Sequence, residues 1–247
     1  MKYREEIDGL RAVAVLPVIF FHAGFSAFSG GYVGVDVFFV ISGYLITTII
    51  LSEKERGTFS LANFYERRAR RIIPALFLVM LFSTVCSYLW LAPSHMKDFS
   101  ESLAAVSLFS SNILFWKETG YWGVANELKP LLHTWSLAVE EQYYVLFPLF
   151  LMGMWRFRKR WILGSFFLIA AASLLHSQWA SVHHPAANFF LLSTRAWELA
   201  IGAGIAFYFL YRKQVMRSLV SHPAVDELMS WLGIALIAWA GVVVDEN

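Results

Sequence analysis

Seven runs of apolar residues approach or reach the length needed to cross a bilayer: 10–28, 32–52, 72–92, 138–155, 161–177, 189–210 and 230–244. A helix rises about 1.5 Å per residue, so about 20 residues span a hydrocarbon core of about 30 Å. In lipid the backbone must satisfy its own hydrogen bonds, which leaves helices and closed barrels as the spanning structures. A barrel needs short alternating segments, and these runs are continuous. The fold class is therefore all-α, a polytopic transmembrane helical bundle of about seven spans. An eighth run, 103–116, is shorter and richer in Ser and Asn, and reads as a re-entrant or surface helix. With 58% hydrophobic and 15% charged residues, the 247-residue chain is no ordinary soluble domain. The first run is no cleavable signal peptide, because Asp8, Arg11 and His22 interrupt its neighbourhood and no small-residue cleavage site follows. Cys86 is the single cysteine, which excludes an internal disulfide; it reads as a small core residue with no metal-site spacing near it.

Basic residues set the expected orientation. They cluster at Lys2 and Arg4, from Lys54 to Arg71, in RFRKR at 156–160, and at Arg212, Lys213 and Arg217. Short cytoplasmic loops carry such an excess. An N-terminus in the cytoplasm brings every cluster inside, provided 103–116 does not cross. Residues 93–137 then lie largely on the outer side. No internal repeat is evident, and residues 1–247 read as one membrane domain. The chain ends soon after an apolar run, so the expectation is a domain lacking further C-terminal helices.

Ionisable residues are rare inside membrane helices and usually face a bundle interior or a water-filled path. Arg11 and His22 are eleven residues apart in DGLRAVAVLPVIFFHAG. Three turns return them to one face, separated by roughly 16 Å. Asp36 lies near the outer end of the second run, on an antiparallel neighbour joined by a short Gly-containing turn. A carboxylate there either orients the imidazole of a general base or caps its own helix. In HTWSLAVEEQYYVLFP, residues 133–148, Glu140 and Glu141 enter the outer half of a helix beside His133, Trp135, Tyr143 and Tyr144. Adjacent positions differ by about 100° around a helix, so the two carboxylates cannot both face one site squarely. Arg195 and Glu198 are one turn apart, close enough to pair. On the inner side, FYERRARRIIPAL (64–76) sets Arg67, Arg68, Arg70 and Arg71 at the mouth of the third run. Such runs bind anionic lipid, and guanidinium forks also recognise polyphosphates bidentately. The patch is too small, and too close to the membrane, for nucleic acid.

Five strings carry a resemblance: IDGLRAVAVLPVIFFHAG, GGYVGVDVFFVISGYLIT, FYERRARRIIPAL, PLLHTWSLAVEEQYYVLFP and LLSTRAWELAIGA. Spread in order from residue 7 to 204, they resemble bacterial acyltransferase family 3, integral-membrane enzymes that O-acetylate surface polysaccharides. The Arg-x10-His pair of that family is met by Arg11 and His22, and its cytoplasmic arginine motif by Arg68 and Arg70. The later strings are most similar to lipopolysaccharide O-antigen acetylases, which often carry a periplasmic SGNH-type domain. The resemblance implies transfer of an acyl group, foremost acetyl, from cytoplasmic acyl-CoA to a surface polysaccharide hydroxyl, at a bacterial inner membrane and without a metal. His22 would be the base and Asp36 its orienter, with Arg11, Glu140 and Glu141 completing the catalytic set. Arg67, Arg68, Arg70 and Arg71 would grip the CoA phosphates, and His133, Trp135, Tyr143, Arg195 and Glu198 would contact substrate. Implied partners are membrane lipid, the polysaccharide acceptor and an SGNH domain or protein. An acyl-His22 intermediate is the alternative route. The rival from another class is a proton-coupled transporter using His22, Asp36 and the glutamates; such proteins usually show internal repeats.

Overall fold

The computed structural model describes residues 5–119, 128–216 and 223–243. Lys2, Arg4 and Arg217 lie outside them, as do the side chains of Arg212 and Lys213. Among the described residues there are ten α-helices and no strand: α1 (Glu5–His22), α2 (Gly34–Glu55), α3 (Leu61–Trp90), α4 (Pro93–Ser107), α5 (Ser111–Glu118), α6 (Thr134–Met154), α7 (Lys159–His183), α8 (Pro185–Phe190), α9 (Leu192–Met216) and α10 (Pro223–Val243). Four helical segments are long and apolar enough to cross a membrane: Gly31–Glu55, Leu61–Trp90, Lys159–His183 and Pro185–Tyr211. The count of seven included α1, α6 and α10. Of these, α1 carries Glu5, Glu6, Asp8 and Arg11, while α6 carries Glu140, Glu141 and Gln142. Their polarity comes from the same residues that make them candidates for chemistry.

The helix ends obey local rules. Ser60 caps α3, its hydroxyl accepting the Asn63 N–H at 3.5 Å. Pro93 and Pro185 open α4 and α8, where a missing N–H costs nothing. Three C-termini close through a left-handed residue and a hydrogen bond reaching back five positions. At α1 the residue is Gly24, with Phe25 N–H donating to Phe20 O at 3.1 Å. At α2 it is Gly57, with Thr58 N–H donating to Glu53 O at 2.9 Å. At α4 it is Phe109, at φ 50°, with Ser110 N–H donating to Ala105 O at 2.8 Å. The run read as one segment, 103–116, is therefore the end of α4, a corner at 108–110 and the start of α5.

The chain divides into two compact units. Unit 1 comprises residues 1–51, 163–170 and 197–247. Glycines decide its packing. Gly31 lies against Pro17 O and the Phe21 side chain, and Gly34 against Ala14 O and Val18, so the chain after α1 folds back onto it with no room for a Cβ. Further along, Gly43 of α2 meets the Leu199 carbonyl of α9, and Gly202 of α9 meets the Val40 carbonyl of α2. Reciprocal small residues let two membrane helices touch backbone to backbone, where van der Waals contact replaces the hydrophobic drive that lipid cannot supply. Phe39, Ile46, Ile50, Leu51, Leu199, Ala203 and Phe207 are buried around this crossing.

Unit 2 comprises residues 52–162 and 171–196. Leu76, Phe99, Val106 and Leu131 form one buried cluster, which ties the middle of α3 to α4 and to the segment leading into α6. Tyr65 near the start of α3 donates its hydroxyl to Val145 O of α6 at 2.9 Å. These two contacts fix the register of α3 and α6. They run antiparallel, and α6 begins opposite the middle of α3 because α4 and α5 fill the remaining length. Ion pairs tie the α2 terminus to its neighbours: Arg67 to Glu53 at 2.8 Å and Lys159 to Glu55 at 3.2 Å. The outward face of α3, including Phe77, Phe82, Tyr88 and Trp90, is exposed and apolar, as a lipid-facing surface must be.

Candidate functional site

The arginine run does not act as one patch. Arg67 places its guanidinium on both Glu53 carboxylate oxygens, at 2.8 and 3.0 Å. Arg70 pairs with Glu66 one turn earlier, at 2.6 Å, on an exposed face. Arg68 instead follows Phe64 and Tyr65 onto the inward face of α3. Its Nε is buried without a hydrogen-bond partner. Arg71, one turn on, is exposed. Arg68 and Arg70, grouped by the sequence motif, lie about 200° apart around the helix.

Glu141 is the counterpart of Arg68. Arg68 lies one turn after Tyr65 on α3 and Glu141 one turn before Val145 on α6, so the Tyr65–Val145 contact between the antiparallel helices brings the two near each other; Glu141 Oε1 is buried and without a hydrogen-bond partner. The sequence reading put Glu141 in the outer half of the membrane and Arg68 at the inner mouth; the structure sets them side by side. The reason is the register of α6. Counting depth from the ends of apolar runs assumes that each run starts at a membrane surface, whereas α6 starts beside Leu76, midway along α3. Glu140 turns away, 7% exposed, as the angular step between adjacent residues requires.

Farther toward the start of α6, Trp135 is buried and its ring centroid lies 4.5 Å from that of Phe189. The Arg195 guanidinium sits 5.8 Å from the Trp135 ring and 5.5 Å from the Phe189 ring, and Nε donates to Phe189 O at 3.3 Å. Cation–π contacts at a half-exposed position contribute about 0.5–1 kcal/mol each. Arg195 is thus aimed at two aromatic faces, a partner the expected pairing with Glu198 did not foresee. Glu198 itself is fully buried in the part of α9 that belongs to unit 1. Tyr143 is buried and stacks on Phe147 at 4.6 Å, a packing role. His133 is exposed at the residue preceding α6.

In unit 1, Arg11 makes its ion pair with Asp8, at 3.3 Å, and its Nε is buried without a hydrogen-bond partner. His22 is the last residue of α1 and is exposed. Its Nδ1 lies 2.8 Å from Val18 O. A carbonyl only accepts, so Nδ1 is the donor in this contact, which leaves Nε2 as the acceptor of a neutral imidazole. The backbone of α1 itself thus holds one ring nitrogen of His22. Asp36 stands in the first turn of α2, where a carboxylate is favoured by the helix dipole. The sequence reading passed over Tyr65, which pins α3 to α6, and Gln142, whose amide is described below. The second was visible as a third polar residue in the EEQ of an otherwise apolar helix.

A helical membrane protein with guanidinium, carboxylate and imidazole groups placed within its helices defines a class of membrane enzymes and transporters. Comparison narrows it. The acyltransferase domain family model matches residues 4–244, so the chain belongs to acyltransferase family 3. It is 35% identical over 222 residues to the peptidoglycan O-acetyltransferase OatA of Listeria monocytogenes, covering 86% of this chain and 35% of that protein. It is 34% identical over 229 residues to the O-acetyltransferase OatA of Staphylococcus aureus, covering 89% and 37%. The chain spans about a third of the length of these curated relatives. No solved structure matches it.

Proposed function

We propose that this domain transfers an acetyl group from cytoplasmic acetyl-CoA to a hydroxyl of a cell-wall glycan, with peptidoglycan as the acceptor. The sequence strings pointed to lipopolysaccharide O-antigen. The names of the relatives favour peptidoglycan, and the acceptor is assigned accordingly. The observation that carries the chemistry is the His22 tautomer, with Nδ1–H held by Val18 O and Nε2 free to accept a proton. In the proposed step Nε2 takes the proton of the sugar hydroxyl while its oxygen attacks the thioester carbonyl. The C–S bond then breaks, and the imidazolium returns the proton to the leaving CoA thiolate. The developing oxyanion needs a cation or dipole beside His22; Arg11, roughly 16 Å away along α1, would instead meet the CoA phosphates. Arg68 and Arg71, one turn apart on α3, would take the CoA phosphates, with Glu141 as the resting counter-ion of Arg68. Arg195 with Trp135 would meet the sugar.

The test uses cells of a strain lacking its own O-acetyltransferase, expressing the full-length protein, with O-acetyl groups released from purified peptidoglycan and from lipopolysaccharide and counted. Acetylated peptidoglycan from the wild type, and none from His22→Ala at equal membrane content, is the expected result. Acetylation confined to lipopolysaccharide would move the acceptor, and wild-type acetylation by His22→Ala would remove the base.

A further inference from the structure

In unit 2 two side-chain amides, buried Asn112 and half-buried Gln142, share a contact that the proposed chemistry does not use. Gln142 of α6 donates Nε2–H to Asn112 Oδ1 at 2.8 Å and to Phe109 O at 3.0 Å. Asn112 of α5 donates Nδ2–H to Phe190 O at 3.0 Å and to Gln142 Oε1 at 3.4 Å. All four amide protons are spent, and Asn112 is 0% exposed. The two backbone acceptors are not arbitrary. Phe109 forms the left-handed corner ending α4, and Phe190 is the last residue of α8. Helix C-termini leave carbonyls with no partner in their own helix, and in an apolar interior an unmet carbonyl is costly. One amide pair thus caps two helix ends and joins α4, α5, α6 and α8.

Its neighbours give the pair a consequence beyond stability. Gln142 directly follows Glu141, so the lock on Gln142 fixes the rotation of α6 at the turn that passes Arg68, one turn from the Tyr65–Val145 contact. Phe190 directly follows Phe189, the ring beneath Arg195. Ser111 adds a second tie between the same elements, donating to Thr134 O at 3.1 Å. We propose that Asn112 and Gln142 are positioning residues of the CoA-phosphate site on unit 2, a clamp that holds α6 in the rotation that sets Glu141 near Arg68. This rests on the function proposed above.

The measurement is KM for acetyl-CoA and kcat for acetyl transfer by the full-length protein in membrane vesicles, alongside its unfolding temperature in detergent. Asn112→Leu and Gln142→Leu remove the amides at similar volume, while the exchange Asn112→Gln with Gln142→Asn keeps both and moves one methylene between them. Each Leu variant is expected to raise KM for acetyl-CoA about tenfold, with kcat changed less than about threefold. The exchange is expected to bring KM back within about threefold of wild type. A purely structural role predicts a lower unfolding temperature with KM unmoved, and that result overturns the proposal. Should the Leu variants not accumulate, the exchange decides alone: wild-type KM supports the clamp and a tenfold rise overturns it. An inactive wild-type protein would sink the functional reading and the clamp with it, whereas an active wild type with Leu variants at wild-type KM sinks the clamp only.

Discussion

Four arginines crowd five positions of α3, yet their surroundings give them unlike duties. Arg67 and Arg70 have carboxylates of their own and contribute little more than exposed ion pairs do, about 0–1 kcal/mol each. Arg68 turns inward, one turn from the Tyr65 contact to α6, with its Nε buried and unpartnered. Replacing each arginine by Gln separately should therefore split the run. Arg68→Gln is expected to raise KM for acetyl-CoA at least tenfold, about 1.4 kcal/mol of binding, while Arg70→Gln leaves it within about threefold. Equal effects from both would mean that the run acts as a diffuse positive field. At this scale the charged residues were legible in the sequence and their neighbours were not. Intrusions of charge into apolar runs are visible in one dimension, so Arg68, Glu141, His22 and Arg195 all stood out. Which partner each one meets depends on helix register and on groups such as the Val18 carbonyl, which no composition reveals.

Among the elements, the ends were more legible than the crossings. Gly24 and Gly57 mark the ends of α1 and α2 as left-handed terminators should. Phe109 does the same at α4 against its conformational preference, because its ring packs on the Leu76 cluster while Gln142 holds its carbonyl. A bulky residue in that role gives no turn signal, which is why α4, the corner and α5 read as one short run. The crossing of α2 and α9 was likewise hidden, since a glycine in an apolar run does not announce what lies opposite. Gly43→Ala should lower the unfolding temperature, because its Cβ would meet the Leu199 carbonyl; such overpacking costs about 1–3 kcal/mol. Gly204, two residues beyond Gly202, has open space at its Cβ position. Gly204→Ala should be neutral or stabilising by up to about 1 kcal/mol through helix propensity alone. Thermal unfolding of both variants in detergent separates contact from propensity, and equal shifts would deny the close approach.

For the molecule as a whole, the all-helical class followed directly from the apolar runs, and the family match extends across both compact units. Sidedness is a property that the positive-inside argument predicts and labelling can read. Single cysteines replacing Ser94, His133 and Arg158, all exposed, can be treated in intact cells with an impermeant thiol reagent, in a Cys86→Ala background. Labelling of the first two and protection of the third is expected. Labelling at Arg158 with protection at His133 would mean that the region from α4 to α5 carries the chain across after all. Lys129 is unsuitable for such a probe, being held by Glu118 at 2.7 Å and almost wholly buried.

The glycine crossing also has a consequence in time. Gly43 and Gly202 meet in the finished fold, but 159 residues separate them along the chain. At about 5–20 residues per second, the ribosome needs roughly 8–32 s to deliver the second after the first. Throughout that interval α2 waits in the bilayer with its glycine face unmatched, while all of unit 2 is being made. Chains halted before Leu192 should therefore remain open to degradation, and pulse-chase half-lives should lengthen sharply once α9 is included. A smooth rise in half-life with chain length, with no step at α9, would show that α2 finds its support elsewhere.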